Sequence, residues 1–233
     1  MRYLIWGFLS LLVACNTHSF GVFPKHTEQE TLLVLKSETR IVNKSREAVV
    51  KIYSERESGT GFGTGTTFKY KGKTIVLTAA HVVGGYENKN FVFDGVKKVE
   101  AKIAYLDIIA DLAVLVPVEE INRKPLPFRP ITKKSMRLGE DVFYSGFPND
   151  SGLLTIRGYI AGVHPREHLY MHSYAWPGAS GSAILDGEGH VIGVLFAVEV
   201  GTDIVGFPTI VEDVVVVVPI WKMNFDLLDL NLR

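Results

Sequence analysis

With 233 residues, 47% of them hydrophobic and 21% charged, the chain has the size and composition of one globular domain with short extensions. Lys+Arg and Asp+Glu balance at 25 each, so no global field favours a nucleic-acid partner or an acidic substrate. A single cysteine excludes an internal disulfide framework.

The amino terminus stands apart. Arg2 is followed by an apolar run from Tyr3 to Ala14 and then by Cys15. That run is short for a bilayer span but suits the apolar core of a secretory signal. Leu12-Val13-Ala14-Cys15 resembles a bacterial lipobox, in which cleavage before the cysteine leaves Cys15 to be lipidated. A plain signal peptide or an uncleaved anchor is the alternative. The expectation is a lipoprotein-type signal over residues 1–15 and an exported protein held at a membrane of the bacterial cell envelope. Asn16 favours the outer membrane, by resemblance to enterobacterial sorting. Residues 16–44 read as a tether, with Leu32, Leu33 and Leu35 allowing a short helix between Glu28 and Arg40. The folded domain is expected over residues 45–233.

Ala48 to Tyr53 reads as a first strand. The run from Gly59 to Phe68 then alternates glycine with β-formers. A phosphate cradle would need a Lys-Ser/Thr step into a helix, which is missing, so the glycines imply bulging and close backbone approach in a small barrel. Lys71-Gly72-Lys73 turns the chain into Thr74 to Val83, a β-rich run ending in a small-residue turn that presents His81. Asp94-Gly95 signals a tight hairpin, and Lys102 to Tyr105 and Leu112 to Val116 are further strands. Asp111 heads the second of these. An acid at the start of a buried strand is costly unless something hydrogen-bonds it, and an imidazole N–H is a suitable partner. Asp107 is the rival carboxylate, set aside because it precedes two isoleucines in a loop.

Asn122 to Lys134, with Pro125, Pro127 and Pro130, reads as the connection between two halves. Leu138 to Pro148 and Leu153 to Val163 open the second half. His164, His168 and His172 are spaced four apart, which on a helix would suit zinc. Pro165 argues against a helix there, so they are read as loop histidines and no metal site is expected. Pro177 to Leu185 is a tight glycine-flanked turn running into an apolar strand, with Ser180 at its apex. A serine hydroxyl is a weak nucleophile until a base takes its proton. Gly178 and Gly181 let the backbone bend so that two N–H groups converge on an oxygen beside Ser180. Ser182 is not centred between those glycines and is not read as the nucleophile. Asp186 to Gly189 turns the chain into Val191–Ala197, Val214–Val218 is a buried apolar strand, and Ile220–Leu232 closes the domain as a helix. Short strands punctuated by Gly/Pro turns indicate an all-β barrel architecture.

Three ordered motifs carry a family resemblance. They are Thr78-Ala79-Ala80-His81-Val82-Val83, Ala110-Asp111-Leu112-Ala113-Val114-Leu115, and Gly178-Ala179-Ser180-Gly181-Ser182-Ala183-Ile184-Leu185 followed by His190-Val191-Ile192-Gly193-Val194. From about Ser45 to Trp221 the chain resembles the trypsin-like serine peptidases, and within them the compact bacterial HtrA/Deg group, here without room for its PDZ domains. The resemblance implies two six-stranded antiparallel β-barrels with a short C-terminal helix. It implies His81, Asp111 and Ser180 as a catalytic triad, the backbone N–H groups of Gly178 and Ser180 as an oxyanion hole, no cofactor, and a protein or peptide substrate. It places Tyr174, Leu195, Phe196 and Ala197 at the substrate pocket. Tyr174 stands where trypsin-like specificity would want an aspartate, which implies small or aliphatic side chains before the cut. Ala179 and Ser182 depart from the common Gly-Asp/Asn-Ser-Gly-Gly and keep open a second reading, a catalytically silent protease-like binding module on a lipid anchor. Ala179 also offers no carboxylate to a freed amino terminus, so activation of the chymotrypsin kind is not expected.

Overall fold

The computed structural model describes residues 37, 39–150, 152–164, 167–202 and 208–233. Cys15, the expected signal and the tether up to residue 36 lie outside them. Among the described residues no helix is long and apolar enough to cross a membrane.

The β-rich runs of the first half form six strands: β1 (Val49–Arg56), β2 (Gly59–Tyr70), β3 (Lys73–Thr78), β4 (Lys89–Phe93), β5 (Lys98–Asp107) and β6 (Leu112–Pro117). They pair in the order β1-β4-β5-β6-β3-β2, and β1 pairs back onto β2 to close the barrel. The glycines of β2 have a packing reason. A Cβ on Gly65 would lie 2.5 Å from Val76 Cγ1 and 2.7 Å from Ile52 Cδ1, so side chains of β1 and β3 fill that space. The β4–β5 turn is fastened by the buried Asp94, whose Oδ1 accepts from the N–H groups of Val96 and Lys97, each at 2.8 Å. Its Oδ2 accepts from Asn122 N–H at 2.7 Å, which ties the hairpin to the inter-barrel connection. Within that connection β7 (Leu126–Pro127) adds two residues in parallel to β2.

The second half forms β8 (Asp141–Gly146), β9 (Leu154–Val163), β10 (Leu169–His172), β11 (Ala183–Asp186), β12 (Val191–Thr202) and β13 (Pro208–Pro219). These close as a barrel in the order β10-β13-β12-β11-β8-β9. The polyvaline run expected to be buried is the inner part of β13, with Val215 to Val218 all in the core. One apolar cluster spans both barrels, since Phe143, Leu185, Val191, Val194 and Val218 join the core of the first. The chain is therefore a double antiparallel β-barrel.

Two helices strap the barrels, and both differ in detail from expectation. Helix α1 (Arg40–Ala48) begins four residues before the expected end of the tether and reaches the first residue of the expected first strand. Its buried face mixes apolar Val42 and Ala48 with polar Ser45 and Arg46. Ser45 Oγ donates to Ser145 Oγ at 3.0 Å, and the Arg46 guanidinium donates to Thr155 Oγ1 at 2.9 Å and Leu153 O at 3.2 Å. Thus Ser45 and Arg46 fasten α1 to the second barrel, while Val42 and Ala48 pack into the core of the first. A four-residue α2 (Ala80–Val83) follows β3. At the far end the expected single helix is split into a 3₁₀ turn, Ile220–Lys222, and α3 (Phe225–Asn231). Asn224 breaks it by capping α3, its Oδ1 accepting from Leu227 N–H at 3.0 Å. Helix α3 returns to the first barrel, where Leu228 is buried and Asn231 Nδ2 donates to Ala104 O at 2.9 Å.

Candidate active site

His81 sits in α2, immediately beyond two buried alanines whose small size lets the turn close on the barrel. The helix is too short to satisfy its own carbonyls, and side chains of β1 do so instead. Arg56 donates to both His81 O and Val82 O at 2.8 Å, and Ser54 Oγ donates to Val83 O at 2.9 Å. Gly84, at φ 72°, ends the turn by donating its N–H to Ala80 O at 2.8 Å.

Asp111 reaches the same place from the loop before β6. It has the left-handed φ of 57°, set up by a turn that Asp107 builds by accepting from the N–H groups of Ile109 (3.0 Å) and Ala110 (2.8 Å). The two carboxylates compared in the sequence thus do different things: Asp107 shapes the turn, and Asp111 faces the histidine. Asp111 Oδ2 lies 2.8 Å from His81 Nδ1, while Oδ1 accepts from the His81 backbone N–H at 2.7 Å. Two bonds from one carboxylate fix ring and backbone together. A carboxylate acceptor at Nδ1 puts the proton of a neutral ring there and leaves Nε2 as the acceptor. The Asp111 side chain is 10% exposed and that of His81 37%, so the pair is screened on the aspartate side and open on the other.

From Pro177 to Ser180 every carbonyl of the turn is held, whereas two N–H groups find no acceptor among the described residues. Pro177 O accepts from Asn149 N–H at 2.6 Å, Gly178 O from Thr64 Oγ1 at 2.7 Å, and Ser180 O from Thr64 N–H at 2.9 Å. Ala179 O accepts from both Ser182 N–H (3.1 Å) and Ser182 Oγ (2.7 Å). Among the described residues no acceptor is found for the N–H groups of Gly178 and Ser180. Each belongs to a trans peptide whose carbonyl is held, so each points away from that anchored oxygen. Gly178 has φ 93°, and a Cβ there would lie 2.5 Å from Phe147 O. Gly181 has φ 89°, and a Cβ there would lie 2.2 Å from Thr64 O. Neither position accommodates a side chain.

The turn and His81 share neighbours. A Cβ on Gly63 would touch the Val82 side chain and, at 3.1 Å, Ser180 O. Phe196 places its ring edge-on to His81 with centroids 6.0 Å apart, and its neighbour Leu195 accepts from Gly181 N–H at 2.9 Å. Among the described residues no hydrogen bond joins the Ser180 hydroxyl to the His81 ring.

The residues expected at a substrate pocket divide. Phe196 lies against His81 and, at 5.8 Å between centroids, against His168. Ala197 is half-buried beside it. Leu195 is 1% exposed and belongs to the core of the second barrel. Tyr174 is 54% exposed and stacks on Trp176, with rings 9° from parallel and 6.1 Å between centroids. The three spaced histidines are on a hairpin, not a helix. His164 N–H donates to His168 O at 2.9 Å, and His172 stacks separately on Tyr159. Among the described residues no group of three or more His, Cys, Asp or Glu side chains could hold a metal ion. A cavity of about 180 Å³ lies elsewhere, between the β2–β3 turn and the α3 end, lined by Tyr70, Lys71, Lys73, Asp229, Leu232 and Arg233. Tyr70 and Lys71 both bond Asp229 there, which makes it a structural corner.

Thr64, Asn149 and Arg56 were not legible as site residues. Each acts on a backbone carbonyl far away in sequence, and a threonine among threonines gives no sign of that.

The double barrel, a His–Asp pair at the end of one strand system and a glycine-flanked serine turn in the other define a class. The trypsin-like peptidase domain family matches residues 59–194, and the chain belongs to that family. Curated relatives carry the name serine protease HtrA-like. One from Staphylococcus epidermidis is 26% identical over 161 residues, covering 61% of this chain and 27% of the relative. One from Staphylococcus aureus is 28% identical over 163 residues, covering 61% and 21%. The chain thus spans about a quarter of the length of these relatives. Among solved structures, the serine endoprotease from Yersinia pestis superposes with a TM-score of 0.63 at 23% identity, covering 84% of this chain and 68% of that one. The active form of the Rv3671c protease from M. tuberculosis gives 0.61 at 24%, covering 78% and 80%. These two share the fold.

Proposed function

We propose that the chain is a serine endopeptidase that cleaves protein or peptide substrates through Ser180, His81 and Asp111. The observation that carries this reading is the His81–Asp111 pair, bonded at 2.8 Å and 2.7 Å, beside a serine turn whose Gly178 and Ser180 N–H groups find no acceptor among the described residues. Ser180 Oγ attacks the scissile carbonyl carbon as its proton passes to His81 Nε2. The new C–O bond displaces the carbonyl electron pair onto oxygen, and the Gly178 and Ser180 N–H groups stabilise that charge. As the C–N bond breaks, the imidazolium returns the proton to the leaving amine. Water, deprotonated by the same ring, then releases the acyl group and restores Ser180. Asp111 stays ionised throughout, holding the ring and stabilising its charged form.

The absence of a Ser180–His81 hydrogen bond is what a silent binding module would share. In a resting enzyme that bond often tightens only with substrate bound, so the geometry does not favour silence. Tyr174 stands where lysine or arginine specificity would want an aspartate, which supports small or aliphatic side chains before the cut. We further propose that Cys15 is lipidated and holds the domain at the cell envelope. Metabolic labelling with a clickable fatty acid, compared with Cys15→Ser, tests the anchor.

The activity is tested by mass-spectrometric mapping of cuts in a peptide library. The wild type is expected to cut after small or aliphatic residues, and Ser180→Ala not to cut. Equal cleavage by both proteins contradicts the triad, and efficient cleavage after Lys or Arg contradicts the specificity.

A further inference from the structure

Thr64 is fully buried at the seam between the barrels, and all of its polar groups are engaged. Its N–H donates to Ser180 O at 2.9 Å and its carbonyl accepts from Thr78 Oγ1 at 2.8 Å. Its hydroxyl donates to Gly178 O at 2.7 Å and accepts from Phe147 N–H at 3.1 Å. Valine has nearly the same shape, so packing alone does not call for a hydroxyl in this part of β2.

We propose that Thr64 is a positioning residue for the oxyanion site: from the first barrel, it sets the direction of the Gly178 N–H in the second. The inference rests on the peptidase reading above and deepens it. Gly178, at φ 93° and without a side chain, is the position where the turn can most easily rotate. The Gly178 N–H lies in the Pro177–Gly178 peptide plane, and the φ and ψ of Gly178 tie that plane to the next one, which carries Gly178 O. Asn149 N–H anchors the preceding carbonyl, and the Thr64 hydroxyl anchors Gly178's own. Because Thr64 also holds Phe147 N–H, the 147–149 loop that supplies Asn149 is registered to the same atom. The bond from Thr78 extends that register to β3, which runs through Ala79 and Ala80 into His81. Ala179, buried between the two N–H groups, has no carboxylate with which an ion pair could shape the turn. Neutral donors from β2 and the 147–149 loop take that role, and the site is set before substrate arrives.

The test compares Thr64→Val, Thr64→Ser and Ser180→Ala with the full chain, using a peptide ester and a peptidyl boronate that forms a tetrahedral adduct at serine. Thr64→Val is expected to lower kcat per active site roughly 10–100-fold, part of the effect of deleting an oxyanion donor outright, with KM within about 3-fold. Boronate affinity should fall by a similar factor, and Thr64→Ser should stay within about 3-fold of wild type in both. A folded Thr64→Val protein with unchanged kcat and unchanged boronate affinity overturns the proposal, whatever its melting temperature. A wild type as inactive as Ser180→Ala overturns the peptidase reading instead, and this inference with it. Should Thr64→Val not fold, a crystal structure of the wild-type boronate adduct decides. It is expected to keep Gly178 O on the Thr64 hydroxyl with Gly178 N–H on the boronate oxygen, and a Gly178 carbonyl turned away from Thr64 contradicts the proposal.

Discussion

At the scale of single residues, the site divides labour between two aspartates four positions apart. Asp111 grips His81 at ring and backbone, so Asp111→Asn should present the wrong donor to Nδ1 and lower kcat about 10⁴-fold, the loss seen for this change in a Ser-His-Asp enzyme. Asp107 accepts from the N–H groups of Ile109 and Ala110 and, at a long 3.4 Å, from Tyr105 OH. Asp107→Ala, which loosens the turn that presents Asp111, should cost about 1 kcal/mol in urea unfolding and lower kcat far less than Asp111→Asn. If the two variants lose activity equally, the assignment of roles is wrong. His81, Asp111 and Ser180 could be read from sequence because each is a reactive side chain in apolar or glycine-bound surroundings, where it has no structural reason to be. Thr64 could not be, since its hydroxyl partners lie 83 and 114 residues away.

At the scale of elements, the Asp94 turn makes the first barrel sensitive to acid. Burial alone raises the Asp94 carboxyl, but N–H donors from Lys97, Asn122 and Val96, with the charge of Arg123, outweigh it and hold the group below its ordinary value. A carboxyl lowered on folding stabilises the protein above its unfolded value of about 4, and the contribution is lost as pH falls through the lower folded value. Urea midpoints measured from neutral pH down to acid should therefore fall, and Asp94→Asn should lower the neutral midpoint and flatten the fall. An unchanged slope in the variant places the acid sensitivity elsewhere. The glycines of β2 form a second element-level device. Gly65→Ala forces a methyl against Val76 and Ile52 and should cost roughly 1–3 kcal/mol by overpacking, read by thermal melting. Strands and hairpins were legible because glycine, proline and Asp-Gly steps punctuate short β-branched runs. Helix α1 was not, because half of its buried face is polar: Ser45 and Arg46 lie beside Val42 and Ala48, and their partners Ser145, Thr155 and Leu153 come near only in the fold.

At the scale of the molecule, the candidate triad is assembled across the seam: His81 and Asp111 come from the first barrel and Ser180 from the second. What holds the seam is partly apolar and partly the α1 strap. A chain begun at Asn43 would cut through α1 and remove the Ser37–Asn43 bonds, 2.6 Å in both directions, that close its start. A soluble form begun at Ser37 should match the longer chain in melting temperature and activity. Beginning at Val49 should lower the melting temperature, because Ser45 and Arg46 no longer bind the second barrel. Equal melting of the Ser37 and Val49 forms would show that α1 contributes nothing. The double barrel itself was legible as a whole through its three ordered motifs. The path of the ends was not, since where α1 and α3 dock depends on side chains that only the closed barrels bring near.

The central claim is that Ser180 is a nucleophile activated by His81 in a site that is already formed. Intact-mass analysis after exposure to a fluorophosphonate reads this directly, with peptide mapping to locate the adduct. The account predicts one adduct per chain on the peptide containing Ser180, formed without prior cleavage, absent in Ser180→Ala and slowed at least about 100-fold in His81→Ala. A wild-type chain that remains unlabelled, or that labels equally well after Ser180→Ala, would contradict it.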